Sequence, residues 1–267
     1  MSKGRFLLCA VLAVGCAAQT LLSPDDQRQV ISSQQGRGYH LKYSFFVGPF
    51  FSYADRYYIC ERDFDERVLV QGPGGEAILS AEPLAILPVG TRVVVDKVEF
   101  PTSAAMASRK LKSPRHFTWV YLRPAERQLD KPLVLVLTQT MRRPADFERA
   151  LAAYLVKEDP RSTLTNLPQQ IYQAVETKQP VAGMPADALL RCRGHPDKIL
   201  RRHQAGQRQE IWQYAPGRRV FLTNDVVVKA EGFPERELPL WKSPVPGKAA
   251  TRQPDHAAPA DQPGEGP

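Results

Sequence analysis

Val181-Ala182-Gly183-Met184-Pro185-Ala186-Asp187-Ala188-Leu189-Leu190-Arg191-Cys192-Arg193-Gly194-His195-Pro196 reads as one short helix with both ends marked. Pro185 suits the first turn, where its missing N–H would have had no partner. Ala186 to Arg193 are good helix formers, with Leu189 and Leu190 as the apolar stripe. Gly194 sits where a left-handed residue closes a helix, and Pro196 forbids continuation. Upstream, Leu167, Ile171, Ala174 and Val175 fall at helical spacing. Downstream, Ile211 to Tyr214, Arg219 to Thr223 and Val226 to Ala230 are rich in β-branched and aromatic residues. Asn224-Asp225 between the last two is a tight hairpin signal. Residues 166–233 therefore predict two helices on one face of a three-stranded antiparallel sheet.

Gly183-Met184 before the helix, Gly194-His195-Pro196 after it and Trp212-Gln213-Tyr214 on a following strand resemble the SmpA/OmlA (BamE-like) family of small bacterial envelope lipoproteins. The resemblance implies a protein without an active site or cofactor, which acts by docking onto other envelope proteins. It carries no binding residue across position by position.

At the N-terminus, Met1 to Arg5 is a basic segment, Phe6 to Val14 a short apolar one, and Gly15-Cys16-Ala17-Ala18 a small-residue exit. That is an export signal (residues 1–16) and not a spanning helix, which needs about 20 apolar residues. Ala13-Val14-Gly15-Cys16 resembles a bacterial lipobox, which implies a lipid on Cys16 and membrane attachment through it. Cleavage after Ala17 or Ala18 is the alternative and would release a soluble periplasmic or secreted protein. Residues 17–38 are polar and predict a flexible tether. The tail 243–267 is interleaved with Pro, Ala, Gly and Gln and can bury little, so it predicts disorder. Export leaves Cys60 and Cys192 in an oxidising compartment. Either they form a disulfide that closes a long loop, or both are small buried hydrophobes.

An apolar content of 43% is enough for real cores, and the mature length divides into two units. Residues 39–158 predict a β-rich unit with a C-terminal helix. Strands are expected over His40 to Tyr53, Tyr57 to Cys60, Arg92 to Phe100, Phe117 to Leu122 and Leu133 to Leu137. Gly72-Pro73-Gly74-Gly75 turns a hairpin between Val68 and Leu79. Many short strands joined by Gly/Pro turns indicate a small barrel or sandwich. Leu87-Pro88-Val89-Gly90-Thr91 before a Val-rich strand and a Trp119-Val120 strand resembles bacterial SH3-like barrels, which would imply glycan or peptidoglycan binding. Asp146 to Lys157 predicts an amphipathic helix with Phe147, Leu151, Tyr154 and Leu155 on one face. The expected fold class is α+β: an SH3-like β domain followed by a BamE-like ααβββ module.

Signals for chemistry are thin. The Gly72–Gly75 run lacks the strand, helix and Lys-Ser/Thr of a phosphate loop. His195 stands at a helix end, where a cationic imidazole favours the negative pole, and no nucleophile motif accompanies it. No His pair at i, i+4 and no Cys-x-x-Cys supports a metal. Glu61, Asp63, Asp65 and Glu66 form an acidic run broken by Arg62 and Arg67, which predicts a solvated loop.

The net charge is +8, of which Lys3 and Arg5 in the signal account for two. Basic residues gather at Arg109, Lys110, Lys112 and Arg115, and again between Arg191 and Arg208. For an exported chain the counterparts are anionic lipid, acidic glycan or an acidic partner protein rather than nucleic acid. The expected function is a non-enzymatic envelope docking or assembly factor, with outer-membrane assembly components as candidate partners. Its candidate contacts are the face and edge of the Trp212/Tyr214 sheet, one of the two facing inward, and the exposed basic loop Thr102 to Arg115. An exported enzyme inhibitor is a further alternative.

Overall fold

Leu133-Val134-Leu135-Val136-Leu137 is buried at every position, the pattern of a strand covered on both faces. The computed structural model, which describes residues 20–126, 128–204 and 206–241, places it in the middle of an eight-stranded sheet. The signal with Cys16, residues 17–19 and the tail 243–267 lie outside the described residues.

The chain is mixed α/β with strands predominating. Its first unit holds α1 (Pro24–Gln34), β1 (Gly38–Leu41), β2 (Phe45–Phe50) and β3 (Tyr53–Cys60). After these come the hairpin β4 (Val70–Gln71) and β5 (Ala77–Ile78), then β6 (Ala85–Leu87) and β7 (Arg92–Glu99). It continues with α2 (Ser103–Ser108), β8 (Thr118–Pro124), β9 (Leu133–Leu137), α3 (Pro144–Ala152) and β10 (Leu155–Val156). The large sheet runs β10-β1-β7-β8-β9-β3-β2-β6. β3 and β9 pair in parallel, which a plain run of hairpins cannot produce. β1 and β2 are separated by four strands in that order yet joined by three residues. Phe45 pairs with Leu87, and Gly90 N–H bonds the Leu41 carbonyl. The sheet therefore rolls up around its inner face. This rolled sheet of eight strands stands where the sequence predicts a small SH3-like barrel.

Inside the roll, Leu41, Phe45, Val93, Val120, Leu135 and Phe147 belong to one core, capped by α1 and α3. On the outer face Phe46, Phe50, Tyr58, Trp119 and Val136 form a second core, covered by Phe64, Leu238 and Leu240. The expected tether is largely helix. The Ser23 hydroxyl accepts from Asp26 N–H, Pro24 fills the first turn, and Val30 and Gln34 are buried. Its Gln and Ser residues are simply the solvent side of a helix anchored by few apolar contacts. α3 stops at Ala152, earlier than predicted, and Tyr154 and Leu155 reach the core from the following turn and strand.

The second unit comprises α4 (Gln169–Glu176), α5 (Ala186–Arg193) and four strands: β11 (Lys198–Gln204), β12 (Gln207–Ala215), β13 (Arg218–Thr223) and β14 (Val226–Glu231). Asn224 and Asp225 both have positive φ, as a two-residue hairpin turn requires. β11, which the sequence reading leaves without a strand, is a further one. It is an exposed edge strand, where basic side chains discourage stray pairing in place of apolar alternation. Among the described residues no helix is long and apolar enough to cross a membrane.

Candidate functional site

Trp212 and Tyr214 lie two residues apart, so they share a face, and both point into the core between sheet and helices. Trp212 donates to Glu210 Oε2 at 2.7 Å and the Tyr214 hydroxyl to the Gly194 carbonyl at 3.3 Å. Both are buried, so neither offers the surface contact expected of it. The register assigns the outward face to their neighbours: Leu200 stands opposite Ile211, and Ile211 opposite Phe221. A bulge in β14 adds Val228 to this apolar row. Together with Arg202 and Gln209 these residues line a groove of about 370 Å³. β11 is hydrogen-bonded on one side only. Arg201 is paired with Glu210 and Arg208 with Asp225, while Lys198 and Arg202 have no ion pair among the described residues.

The basic loop divides in the same way. Arg109 is buried. It binds Glu99, donates to the carbonyls of Arg115 and Phe117 at 2.7 and 2.8 Å, and stacks 3.7 Å above the Trp119 ring. It is a pin for the loop and not a contact. Lys110 donates its backbone N–H to the Tyr53 hydroxyl and its ammonium to the Ser52 carbonyl. Lys112 is exposed and Arg115 half-buried.

Cys60 and Cys192 are free and buried in two different cores. Their thiols face Glu61 Oε2 and the Ala174 carbonyl, each at 3.6 Å. Burial pushes them up to about 12 and about 11, so neither is a thiolate at neutral pH. Of the two alternatives the sequence leaves open, the structure has the buried free thiols, each filling its own core.

The acidic run is not solvated; Glu61, Asp63 and the Glu66 side chain are buried at the seam between the units. Arg62 donates two parallel hydrogen bonds to the Asp197 carboxylate, both at 3.0 Å, and holds Glu66 at 2.6 Å. Arg193 meets Glu66 at 2.7 Å and Asp63 at 3.3 Å. Arg218 reaches Asp65 and Glu66, and Arg236 reaches Asp63 and Glu82. Burial raises the Glu66 carboxyl, but Arg193, Arg62 and Arg218 outweigh it and hold the group below the ordinary carboxylate range.

At the centre lies Lys178, 1% exposed and absent from the sequence-level candidates. Its ammonium donates to the carbonyls of Ser44, Glu61 and Cys192 at 2.7, 2.8 and 2.6 Å. Two of these come from the first unit and one from the end of α5. Burial, then the neighbouring Arg193, lowers its pKa to about 8, which leaves it a cation at neutral pH. Lys178 also closes α4 with φ +61°, a left-handed position that favours glycine. Its side chain, not its backbone, explains its presence there. Ser44 completes the weld: its N–H bonds the Arg191 carbonyl at 2.9 Å and its hydroxyl the Val175 carbonyl at 2.8 Å. Gly194 has φ +76°, and a Cβ there would lie 2.9 Å from the Glu61 side chain.

His195 is exposed, with its ring perpendicular to that of Tyr43 at 6.1 Å between centroids. Burial and Lys42 lower its pKa, favouring the neutral ring over the cation expected at a helix end. Among the described residues no group of His, Cys, Asp or Glu could hold a metal ion.

Comparison of the chain with protein-family models, with curated proteins and with solved structures finds no match to any of them.

Proposed function

We propose that this chain is a non-enzymatic docking protein of a bacterial cell envelope, attached through lipid on Cys16. It binds an acidic partner protein on the outer face of the four-stranded sheet. The observation that supports this reading is the apolar row Leu200, Ile211, Phe221 and Val228, open to solvent beside a one-sided edge strand bearing Lys198 and Arg202. An extended acidic segment would add to β11 as a fifth strand, with backbone bonds giving affinity and the row giving side-chain pockets. In this reading the second unit is BamE-like with β11 placed before the three expected strands, and the rolled sheet takes the place of the SH3-like domain. Glycan binding by the first unit has less support, because Trp119, Tyr58 and Phe50 are buried in its outer core.

A photo-cross-linking residue at Ile211, in cells, tests the proposal. A discrete adduct with one envelope protein is expected, abolished by Leu200→Asp with Phe221→Asp and absent when the cross-linker replaces Arg123. No adduct at Ile211, or the same adduct at both positions, would overturn it.

A further inference from the structure

Three neighbouring strands reach the same end of the large sheet: Glu99 pairs with Trp119 and Thr118 with Leu137. The segments leaving them, 100–117 and 138–143, share that end with the N-terminal entry of the chain. Thr20 bridges Met141, Leu21 N–H donates to the Met141 carbonyl at 2.7 Å, and the Thr118 hydroxyl lies 3.8 Å from the Met141 sulfur. The two most exposed large hydrophobic residues of the described chain are Leu111 at 77%, on the 100–117 segment, and Leu21 at 59%, beside Met141. Leu111 is flanked by Lys110 and Lys112 on a loop that also carries Arg115 and whose Lys110 leans over the outer face to Ser52 and Tyr53, while Arg142 follows Met141 on the neighbouring segment.

Four carboxylates of the neighbouring segments are already engaged. Glu99 is held by Arg109 and Lys97, Asp146 by Arg143 and Arg149, and Asp25 by Arg28, while Asp26 bonds Ser23. Lys112, Arg115 and Arg142 have no carboxylate partner among the described residues, and the one carboxylate that feels Lys110, Asp55, is itself paired with Arg56. The loop is also built to present them. Arg109 fastens its base to Glu99, Arg115 and Phe117, and Tyr53 accepts the Lys110 N–H. Cys16 precedes Thr20 by four residues, a reach of at most about 14 Å even when fully extended.

We propose that this end of the sheet lies against the anionic headgroups of a phospholipid bilayer. Leu111 and Leu21 enter the interface, and Lys110, Lys112, Arg115 and Arg142 meet the phosphates. The inference rests on the envelope reading above but not on the sheet-face partner. A lipid on Cys16 would then place the body on the membrane in one orientation instead of letting it swing on a tether.

The test uses the chain carrying Cys16→Ala, purified without lipid. It is sedimented with vesicles of phosphatidylglycerol and phosphatidylethanolamine, or of phosphatidylcholine alone. Salt-sensitive binding to the anionic vesicles is expected, at least tenfold weaker in Leu111→Ser/Lys112→Glu/Arg142→Glu, whose thermal melt should be unchanged. A control, Arg202→Glu/Phe221→Ser on the far sheet face, should bind as the parent does. No preference for anionic vesicles would overturn the proposal, and so would an equal loss in the control. A negative cross-link at Ile211 would leave the vesicle result standing, so the two readings fail separately.

Discussion

Two short charged runs, Glu61 to Arg67 and Arg109 to Lys112, look alike along the chain and differ completely in the fold. The first is largely buried and neutralised at the seam, with Asp65 exposed at its rim; the second, apart from Arg109, faces solvent. What separates them is the supply of opposite charge from distant sequence. Arg193, Asp197, Arg218 and Arg236 all converge on the first run, whereas among the described residues the second forms one ion pair, Arg109 with Glu99. Buried ions lose their hydration and need nearly complete pairing to offset it. Exposed ions keep their water and contribute little to stability. The seam is thus specified by mutual dependence, and the loop remains open to an outside partner.

Lys178→Met is the strongest challenge to that contrast. It leaves three buried carbonyls without a donor, and about 3–5 kcal/mol of stability should be lost, read as a fall in melting temperature of roughly 10 °C or more. A melt within 2 °C of the parent would mean the seam is not held by this lysine. Arg193→Met should cost somewhat less, about 3 kcal/mol by denaturant titration, since Arg62 and Arg218 still hold Glu66.

The pH dependence has two arms. Glu66 is held below the ordinary carboxylate range, so its contribution is complete above that range. It is lost as acid protonates the folded group, and stability should fall steeply below about pH 4.5. Lys178 runs the other way. The folded chain releases its proton near pH 8 while the unfolded chain holds it to 10.5. Between those values the unfolded state binds more protons, so this group makes stability rise with pH. Urea titrations at pH 7, 8 and 9.5 on the parent and Lys178→Met read that difference, and equal slopes would remove the lysine from the account.

The second unit was legible because its helix ends and hairpin turn are marked by local chemistry that needs no distant partner: Gly194, Pro196 and Asn224-Asp225. Strand identity was legible for the same reason, yet the face was not: one of Trp212 and Tyr214 was expected inward and the other outward, although residues two apart turn together and both are buried. β11 was missed because an edge strand carries charge instead of alternation. Lys178 had no local signal at all. A lysine after a helix normally serves the negative pole in water, and nothing in Thr177-Lys178-Gln179 shows that three carbonyls from elsewhere will enclose it. The acidic run was misread for the same cause, since its arginines arrive from more than 120 residues away.

The finest test of the contrast lies inside the second run, where Arg109 and Lys112 are three residues apart. Arg109→Met removes a buried guanidinium that satisfies two carbonyls and Glu99, and should cost about 2–3 kcal/mol. Lys112→Glu touches an exposed side chain with no partner among the described residues and should change stability by no more than about 0.5 kcal/mol. Guanidinium titrations of both variants would decide the matter. If Lys112→Glu were as damaging as Arg109→Met, the loop would be part of the folded body's own charge balance and could not serve as a free basic surface. If neither mattered, the Trp119 stack and its carbonyl bonds would be incidental, and the Leu111 tip would lack the rigid base that the membrane-facing role requires.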